Sequence, residues 1–266
     1  VEAWLDNQGD GWRYVIDLLD RSVGDGAALA RLANELYVLG TTTAGFHAAL
    51  AAGDGGEAFA PEPVARADIE RWRAAFRDQG DATFALVEQH HRRWTGDRAT
   101  AATEFLALRP AFERRIVALD GWAHGGFQKI RVHGDYHLGQ TLKTSSGFAI
   151  IDLEGEPSKP LEARREKRCA LKDVAGMIRS FDYAVQSTKT LTWPERTIAT
   201  LSDAFLEGYR RRARAAPFVP ADPEALTAWV AFFELEKALY EIEYEANSRP
   251  TWVHIPLRGA VRILRH

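Results

Sequence analysis

An acid, an amide and a second acid stand at fixed spacing in the middle of this sequence. The run Lys129-Ile-Arg-Val-His133-Gly134-Asp135-Tyr136-His137-Leu138-Gly139-Gln140 reads as an apolar strand ending in a carboxylate, with an amide five residues on. After a short turn, Phe148-Ala-Ile-Ile151-Asp152-Leu153-Glu154-Gly155-Glu156-Pro157 repeats the strand-then-acid pattern, 17 residues from acid to acid. That layout suits the transfer of a phosphoryl group, which asks little covalent work of a protein: magnesium neutralises the phosphates and a carboxylate aligns the attacking hydroxyl. Magnesium is a hard ion that takes oxygen at about 2.1 Å in an octahedron and keeps waters beside one or two protein groups. Asp152 and Gln140 fit that demand as ligands, the glutamine through its carbonyl oxygen, which leaves Asp135 as the base. Residues two apart on an extended strand end share a face. Glu154 is therefore expected in the cleft with Asp152, holding a second metal or the acceptor, while Leu153 packs away.

His133 and His137 lie four apart, a metal-ligand spacing on a helix, but here they flank Gly-Asp in a strand-to-loop turn. A site built for a hard cation argues against zinc. The imidazoles are expected to hydrogen-bond loop carbonyls and hold Asp135 in place, with Gly134 and Gly139 relaxing the tight backbone. Protein kinases use the same spacing from base to amide, H-R-D-x-x-x-x-N, followed by D-F-G; here Asp152 opens a variant D-L-E.

The elements that must position these residues are mostly helical. Apolar residues recur three and four apart over Trp12 to Leu19 and from Leu29 to Leu50, which predicts two helices. The Gly53 to Pro63 stretch cannot propagate a helix and reads as a linker. One long helix each is expected from Val64 to about His91 and from Ala99 to Leu119. The period then shifts between Lys129 and Asp152 to Ile, Val and Phe runs broken by Ser145-Ser146-Gly147, a hairpin. A loop is expected from Pro157 to Arg168, then helices over Leu171–Phe181, Pro194–Arg212 and Pro223–Asn247, with Pro194 and Pro223 as first-turn prolines. The expected fold class is α+β, mostly helical, with one small active-site hairpin.

Composition sets the outer bounds. At 266 residues and 46% apolar content the chain can bury a sizeable core. A net charge of -3 gives no electrostatic reason to expect nucleic acid or an anionic membrane as partner. The runs Arg164-Arg165-Glu166-Lys167-Arg168 and Arg210-Arg211-Arg212 have no aromatic platform and read as solvated surface. The lone Cys169 excludes an internal disulfide and fits a reducing, cytoplasmic setting. No stretch approaches the ~20 apolar residues of a membrane span. Of the eight tryptophans, Trp12, Trp72 and Trp229 read as packing residues.

His133-Gly-Asp-Tyr-His-Leu-Gly-Gln140 resembles the Brenner-type motif of aminoglycoside-phosphotransferase-like kinases, in the actinobacterial sugar-kinase variant where Gln replaces Asn. Asp152-Leu-Glu-Gly-Glu-Pro157 is similar to the D-F-E-G-E-P block of maltokinases and the related glucosamine kinases. Leu171-Lys-Asp-Val-Ala-Gly-Met-Ile-Arg-Ser-Phe181 and the stretch from Glu241 to Leu257 resemble later blocks of that group. The resemblance implies Asp135 as catalytic base, Gln140 and Asp152 as magnesium ligands, and Glu154 near metal or sugar. It implies an acceptor pocket with Glu241, Glu245, Arg249 and Trp252, a set whose carboxylates and indole face suit a sugar. The competing reading of Glu241, Glu245 and Arg249 is a surface ion-pair ladder at helical spacing. The resemblance further implies that residues 1–266 form the helical C-terminal lobe of a kinase-like fold whose β-rich, ATP-binding lobe lies upstream, with a fused or associated trehalose synthase as a conceivable partner.

The expected activity is transfer from ATP, with Mg2+, to maltose, giving maltose 1-phosphate. Glucosamine kinase, giving glucosamine 6-phosphate, is the alternative within the same motifs. A polycationic aminoglycoside lacks a dense acidic run to attract it. Outside that class stand a sugar-binding pseudokinase, against which the intact Asp135, Gln140 and Asp152 argue, and a magnesium-dependent phosphatase, for which no nucleophile is found.

Overall fold

The computed structural model describes residues 5–53, 55–118, 126–157, 159–188 and 193–266. In chain order the elements are α1 (Gly11–Arg21), α2 (Gly26–Leu50), β1 (Glu62–Pro63), α3 (Arg66–His91), α4 (Asp97–Ala107), α5 (Arg109–Ala118), β2 (Gln128–Lys129), β3 (Thr141–Thr144), β4 (Gly147–Ile150), α6 (Leu161–Arg165), α7 (Leu171–Ser187), α8 (Pro194–Ala213), α9 (Pro223–Ser248) and α10 (His254–Arg265). The fold is α+β and mostly helical. The chain divides into two compact units, one of Val1–Glu62 with Gln128–Ala221, the other of Pro63–Phe127 with Asp222–His266. The Gly- and Pro-rich linker read from the sequence ends at the first crossover.

Helix α7 runs through the core of the first unit. Leu171, Val174, Ala175, Met177, Ile178 and Phe181 are buried around its whole circumference, the pattern of a helix with no solvent face. Helix α2 is capped by Asp25, whose carboxylate accepts from Ala27 N and Ala28 N. Its face of Leu32, Leu36, Leu39, Thr43 and His47 is buried at three- and four-residue spacing. It packs on α8 backbone to backbone: a Cβ on Gly40 would sit 2.0 Å from Phe205 O, and one on Gly208 2.1 Å from Tyr37 O. Only glycine permits that approach.

The hairpin pairs Thr141 with Ile150 through Thr144 with Gly147, so Ser145 and Ser146 form a two-residue loop and Gly147 opens β4. Residues 8–10 extend the other edge of β3, with Gln8 N donating to Lys143 O at 2.8 Å and Lys143 N to Gly9 O at 3.0 Å. Lys143 ties the hairpin to α2 through a 2.6 Å ion pair with Glu35, beneath the rings of Tyr14 and Phe148.

The second unit is built on aromatic rings. Phe84 stacks on Phe105 with centroids 4.3 Å apart, Phe76 packs on Phe112 and Phe232, and Trp229 meets Trp72, Phe232 and Phe233. Trp72 and Trp229 therefore serve packing.

Several expectations need correction. Ala99–Leu119 is not one helix: α4 ends at Ala107 and α5 starts at Arg109, with Leu108 N turning back to Phe105 O. Pro110 is the cause, since it lacks the N–H that would continue the ladder and its ring crowds the carbonyl four residues back. Residue 119 lies outside the described residues. The expected loop from Pro157 to Arg168 contains the short helix α6. The apolar run before Asp135 is strand only at β2 and at a bridge from Ile130 to Arg168, then irregular. Likewise β4 stops at Ile150, so the alternation expected through Leu153 and Glu154 is lost in a turn and Leu153 is 61% exposed.

Candidate functional site

The irregular run from Arg131 to His137 is shaped by a carboxylate on α7. Asp173 accepts from His133 N at 2.7 Å and from Gly134 N at 2.9 Å, and His47 Nε2 lies 3.1 Å from the same group. Those amides would otherwise serve a strand ladder, which is why the strand ends where it does. Gly134 turns the chain at φ +83°. Two further residues on the same face of α7 hold the loop on the far side of Asp135. A Cβ on Gly176 would be 2.7 Å from Tyr136 O, and Ser180 Oγ accepts from Leu138 N at 3.2 Å. Asp173, Gly176 and Ser180, spaced three and four apart, thus seat the backbone on either side of Asp135. Tyr136 is buried and bonded to Thr43 Oγ1 at 2.8 Å, and burial pushes its phenol far above the usual range.

Asp173 is itself buried, and burial alone would raise its carboxyl. The hydrogen bond from His47, with the nearby His133 and the Gly134 amide, outweighs that and holds it below the ordinary carboxylate range. It is an ionised anchor at neutral pH. Cys169, one turn earlier, is the opposite case: burial pushes its thiol up to about 12, which makes it an inert core residue.

The second motif is brought to the first by two contacts. His133 Nε2 is 2.9 Å from the carbonyl of Ile151, the residue before Asp152, and Gly134 faces Gly155, with a Cβ on Gly134 only 3.7 Å from Gly155 Cα. The other nitrogen of His133 is 3.4 Å from Asp135 N. His137 Nδ1 accepts from Gly139 N at 3.1 Å and its Nε2 lies 4.0 Å from Asp135 Oδ2. Asp135 keeps 22% of its side chain exposed, in reach of a solute. Gln140, in a 3₁₀ turn spanning Leu138–Gln140, donates from Nε2 to Asp152 Oδ2 at 2.7 Å.

Asp152 is the one non-glycine residue with positive φ, +60°, among the described residues. Aspartate visits that region at a cost, and such strain collects where a side chain must point a particular way. Here it turns the carboxylate of an exposed residue onto Gln140. Turning the glutamine amide by half a rotation puts Oε1 where Nε2 stands, and two oxygens 2.7 Å apart approach the edge of about 3.0 Å in an octahedron with bonds of about 2.1 Å. That spacing would let Gln140 and Asp152 hold a magnesium ion. Among the described residues no group of three or more His, Cys, Asp or Glu is assembled for a metal. Glu154 sits in the exposed turn beyond. Its carbonyl accepts from Arg164 Nη1 at 3.4 Å, and its carboxylate makes no hydrogen bond or ion pair among the described residues.

Gln140→Ala is expected to raise the magnesium concentration at half-maximal activity about tenfold or more, with little loss at saturating metal. A magnesium titration of the variant checks it, and an unchanged midpoint removes Gln140 from the ligand set.

Glu241, Glu245, Arg249 and Trp252 belong to the second unit. Glu245 is 1% exposed and receives a bidentate pair from Arg249, at 2.6 Å and 3.0 Å. The guanidinium lies over Trp252 at 5.1 Å and Tyr244 at 5.6 Å. Glu241 is 8% exposed. The surface-ladder reading holds for one rung, the i,i+4 pair of Glu245 with a half-exposed Arg249, but both acids are buried and not solvated. What the structure shows is a fixed carboxylate and guanidinium set stacked on aromatic faces.

The residues missed from sequence are His47, Asp173, Gly176 and Ser180. The last three lie in the Leu171–Phe181 block, and the signal available was an acid and two small residues recurring three and four apart on one face of the helix. An open groove of about 530 Å³ in the first unit, lined by residues such as Asp25, Leu29, Trp193 and Arg196, includes none of the motif residues.

No family model matches the chain. It is 29% identical over 267 residues to a glucosamine kinase of Streptacidiphilus jiangxiensis, covering 96% of this chain and 55% of that protein. It is 27% identical over 265 residues to a glucosamine kinase of Mycolicibacterium smegmatis, covering 96% of this chain and 60% of that protein. Among solved structures, one crystal form of a glucosamine kinase superposes with a TM-score of 0.76 at 26% identity, over 99% of this chain and 62% of that one. A glucosamine kinase in complex with glucosamine, ADP and inorganic phosphate gives 0.74 at 26% identity, over 98% and 59%. The fold is glucosamine kinase-like. The chain spans little more than half the length of the curated relatives it matches.

Proposed function

We propose that this chain carries the catalytic loop and the acceptor residues of an ATP-dependent kinase that phosphorylates a hydroxyl of glucosamine. The contact of Gln140 with Asp152, beside an Asp135 loop seated on Asp173, carries the reading: a cation site and a base held together on one buried framework. Asp135 accepts the proton of the attacking sugar hydroxyl as its oxygen bonds to the γ-phosphorus of ATP, and ADP leaves. Gln140 and Asp152 would hold magnesium, which when bound offsets the charge of the phosphates. His133 keeps the two loops in register through Ile151 O.

One observation favours glucosamine over the maltose expected from sequence. The relatives and the ligand-bound neighbour are glucosamine kinases, and maltose has no support among them. Magnesium, ATP and Glu154 as an acceptor contact are parts of the same proposal.

The full-length protein with ATP and Mg2+ is expected to phosphorylate glucosamine with a kcat/KM at least about tenfold above maltose, glucose or kanamycin, since a site built to hydrogen-bond one acceptor rejects analogues that leave its polar groups without partners. Coupled ADP release across that panel checks it. Maltose as the preferred acceptor would restore the original expectation, and sugar binding without ADP release would favour a pseudokinase.

A further inference from the structure

The Asp173 anchor has a buried chain of partners behind it that no step above uses. Tyr209 OH on α8 is 2.9 Å from His47 Nδ1 on α2, and His47 Nε2 is 3.1 Å from Asp173 Oδ2 on α7. Tyr209 and His47 are fully buried, and Tyr209 reaches the ring because Gly40 and Gly208 let α2 and α8 touch through their backbones.

Counting protons along the chain fixes each of them. Asp173 is ionised and already accepts two backbone amides, so it offers His47 only acceptor oxygens, and Nε2 must carry a proton. Among the described residues Tyr209's hydroxyl has one hydrogen-bond partner, His47 Nδ1. If Nδ1 also carried a proton, two donors would meet and the phenolic proton would be buried without an acceptor. The hydroxyl therefore donates to a bare Nδ1, and burial keeps that proton on the phenol by pushing Tyr209 well above its usual range.

We propose that Tyr209 is a positioning residue for phosphoryl transfer: its hydroxyl locks His47 in the Nε2–H tautomer that orients Asp173, and through it the amides of His133 and Gly134 beside Asp135. The activity part rests on the kinase reading above; the tautomer part does not. Without the hydroxyl, Nδ1 is a buried acceptor with no donor, and the ring exchanges tautomers or turns away from Asp173.

The test uses the full-length protein labelled with 15N-histidine. In the wild type, His47 is expected to show the separate ring-nitrogen resonances of the Nε2–H tautomer; an Nδ1–H pattern overturns the proposal without any variant. Tyr209→Phe keeps the ring and removes only the oxygen. It is expected to shift those resonances, speed hydrogen exchange at the His133 and Gly134 amides, and lower kcat about tenfold with KM for the acceptor unchanged. His47→Gln supplies a donor to Asp173 that has no tautomer to choose. Adding Tyr209→Phe to it should cost less than about twofold. An equal loss in both backgrounds, or lowered kcat with unmoved resonances, reduces Tyr209 to packing and overturns the proposal. If the resonances and exchange respond as stated while no sugar is phosphorylated, the kinase reading fails and the tautomer lock stands.

Discussion

Asp135→Asn is expected to lower turnover about 100- to 10,000-fold, the span associated with losing a positioned base, while nucleotide and acceptor binding stay within about twofold. The substitution is close in shape, and the loop around it is held by other residues. His133 N and Gly134 N are bound to Asp173, Leu138 N to Ser180, and the Tyr136 hydroxyl to Thr43. The asparagine therefore sits where the carboxylate sat and lacks only the ability to take the proton. Single-turnover kinetics with ATP and glucosamine would show a slow chemical step after normal binding. A variant that turns over within about threefold of wild type would mean that Asp135 does not act as base. A variant that loses nucleotide affinity as well would place Asp135 in charge compensation around the phosphates.

What could be read from the sequence and what could not divide along a physical line. The spacing of Asp135, Gln140 and Asp152 is local, and local patterns survive into the fold, so the meeting of Gln140 and Asp152 was legible from a strand, a turn and a strand. Helices α2, α3, α8 and α9 arose from a 3.6-residue apolar period, with Pro194 and Pro223 marking two starts. The misread parts depend on partners distant in sequence. The run into Asp135 looked like a strand because its residues are apolar, but an acid 40 residues beyond His133 takes the amides that a strand would use. Leu153 and Glu154 looked like alternating strand positions, but the +60° turn at Asp152 rotates both out of that pattern. Glu241 and Glu245 looked like half of a solvated ladder; only packing reveals that they are buried, with Arg249 and Trp252 beside them. His47 gave no local signal at all, being one histidine on the buried face of a long helix. Its partners lie 126 and 162 positions away.

Asp173→Asn disturbs that last class of contact and is expected to cost about 3 kcal/mol of stability at neutral pH, with turnover falling at least about 100-fold. The carboxylate accepts from three donors, two amides and His47 Nε2. An asparagine offers one oxygen; turned to keep His133 N and His47 Nε2, it sets its NH2 against Gly134 N and leaves that N–H without an acceptor, and turned the other way it opposes two donors. The loss depends on pH in a defined direction. Although burial favours the neutral acid, the His47 interaction, His133 and the Gly134 amide lower the folded value below the ordinary one. The anchor's contribution is therefore complete above the ordinary carboxylate range and is lost as pH falls through the lower, folded value. Asparagine does not titrate, so the gap between wild type and variant should be widest near neutral pH and narrow in acid below that range. Urea unfolding of both proteins at neutral and acidic pH measures it. A gap that stays constant with pH would mean that the shape of residue 173, and not its charge, holds the Asp135 loop.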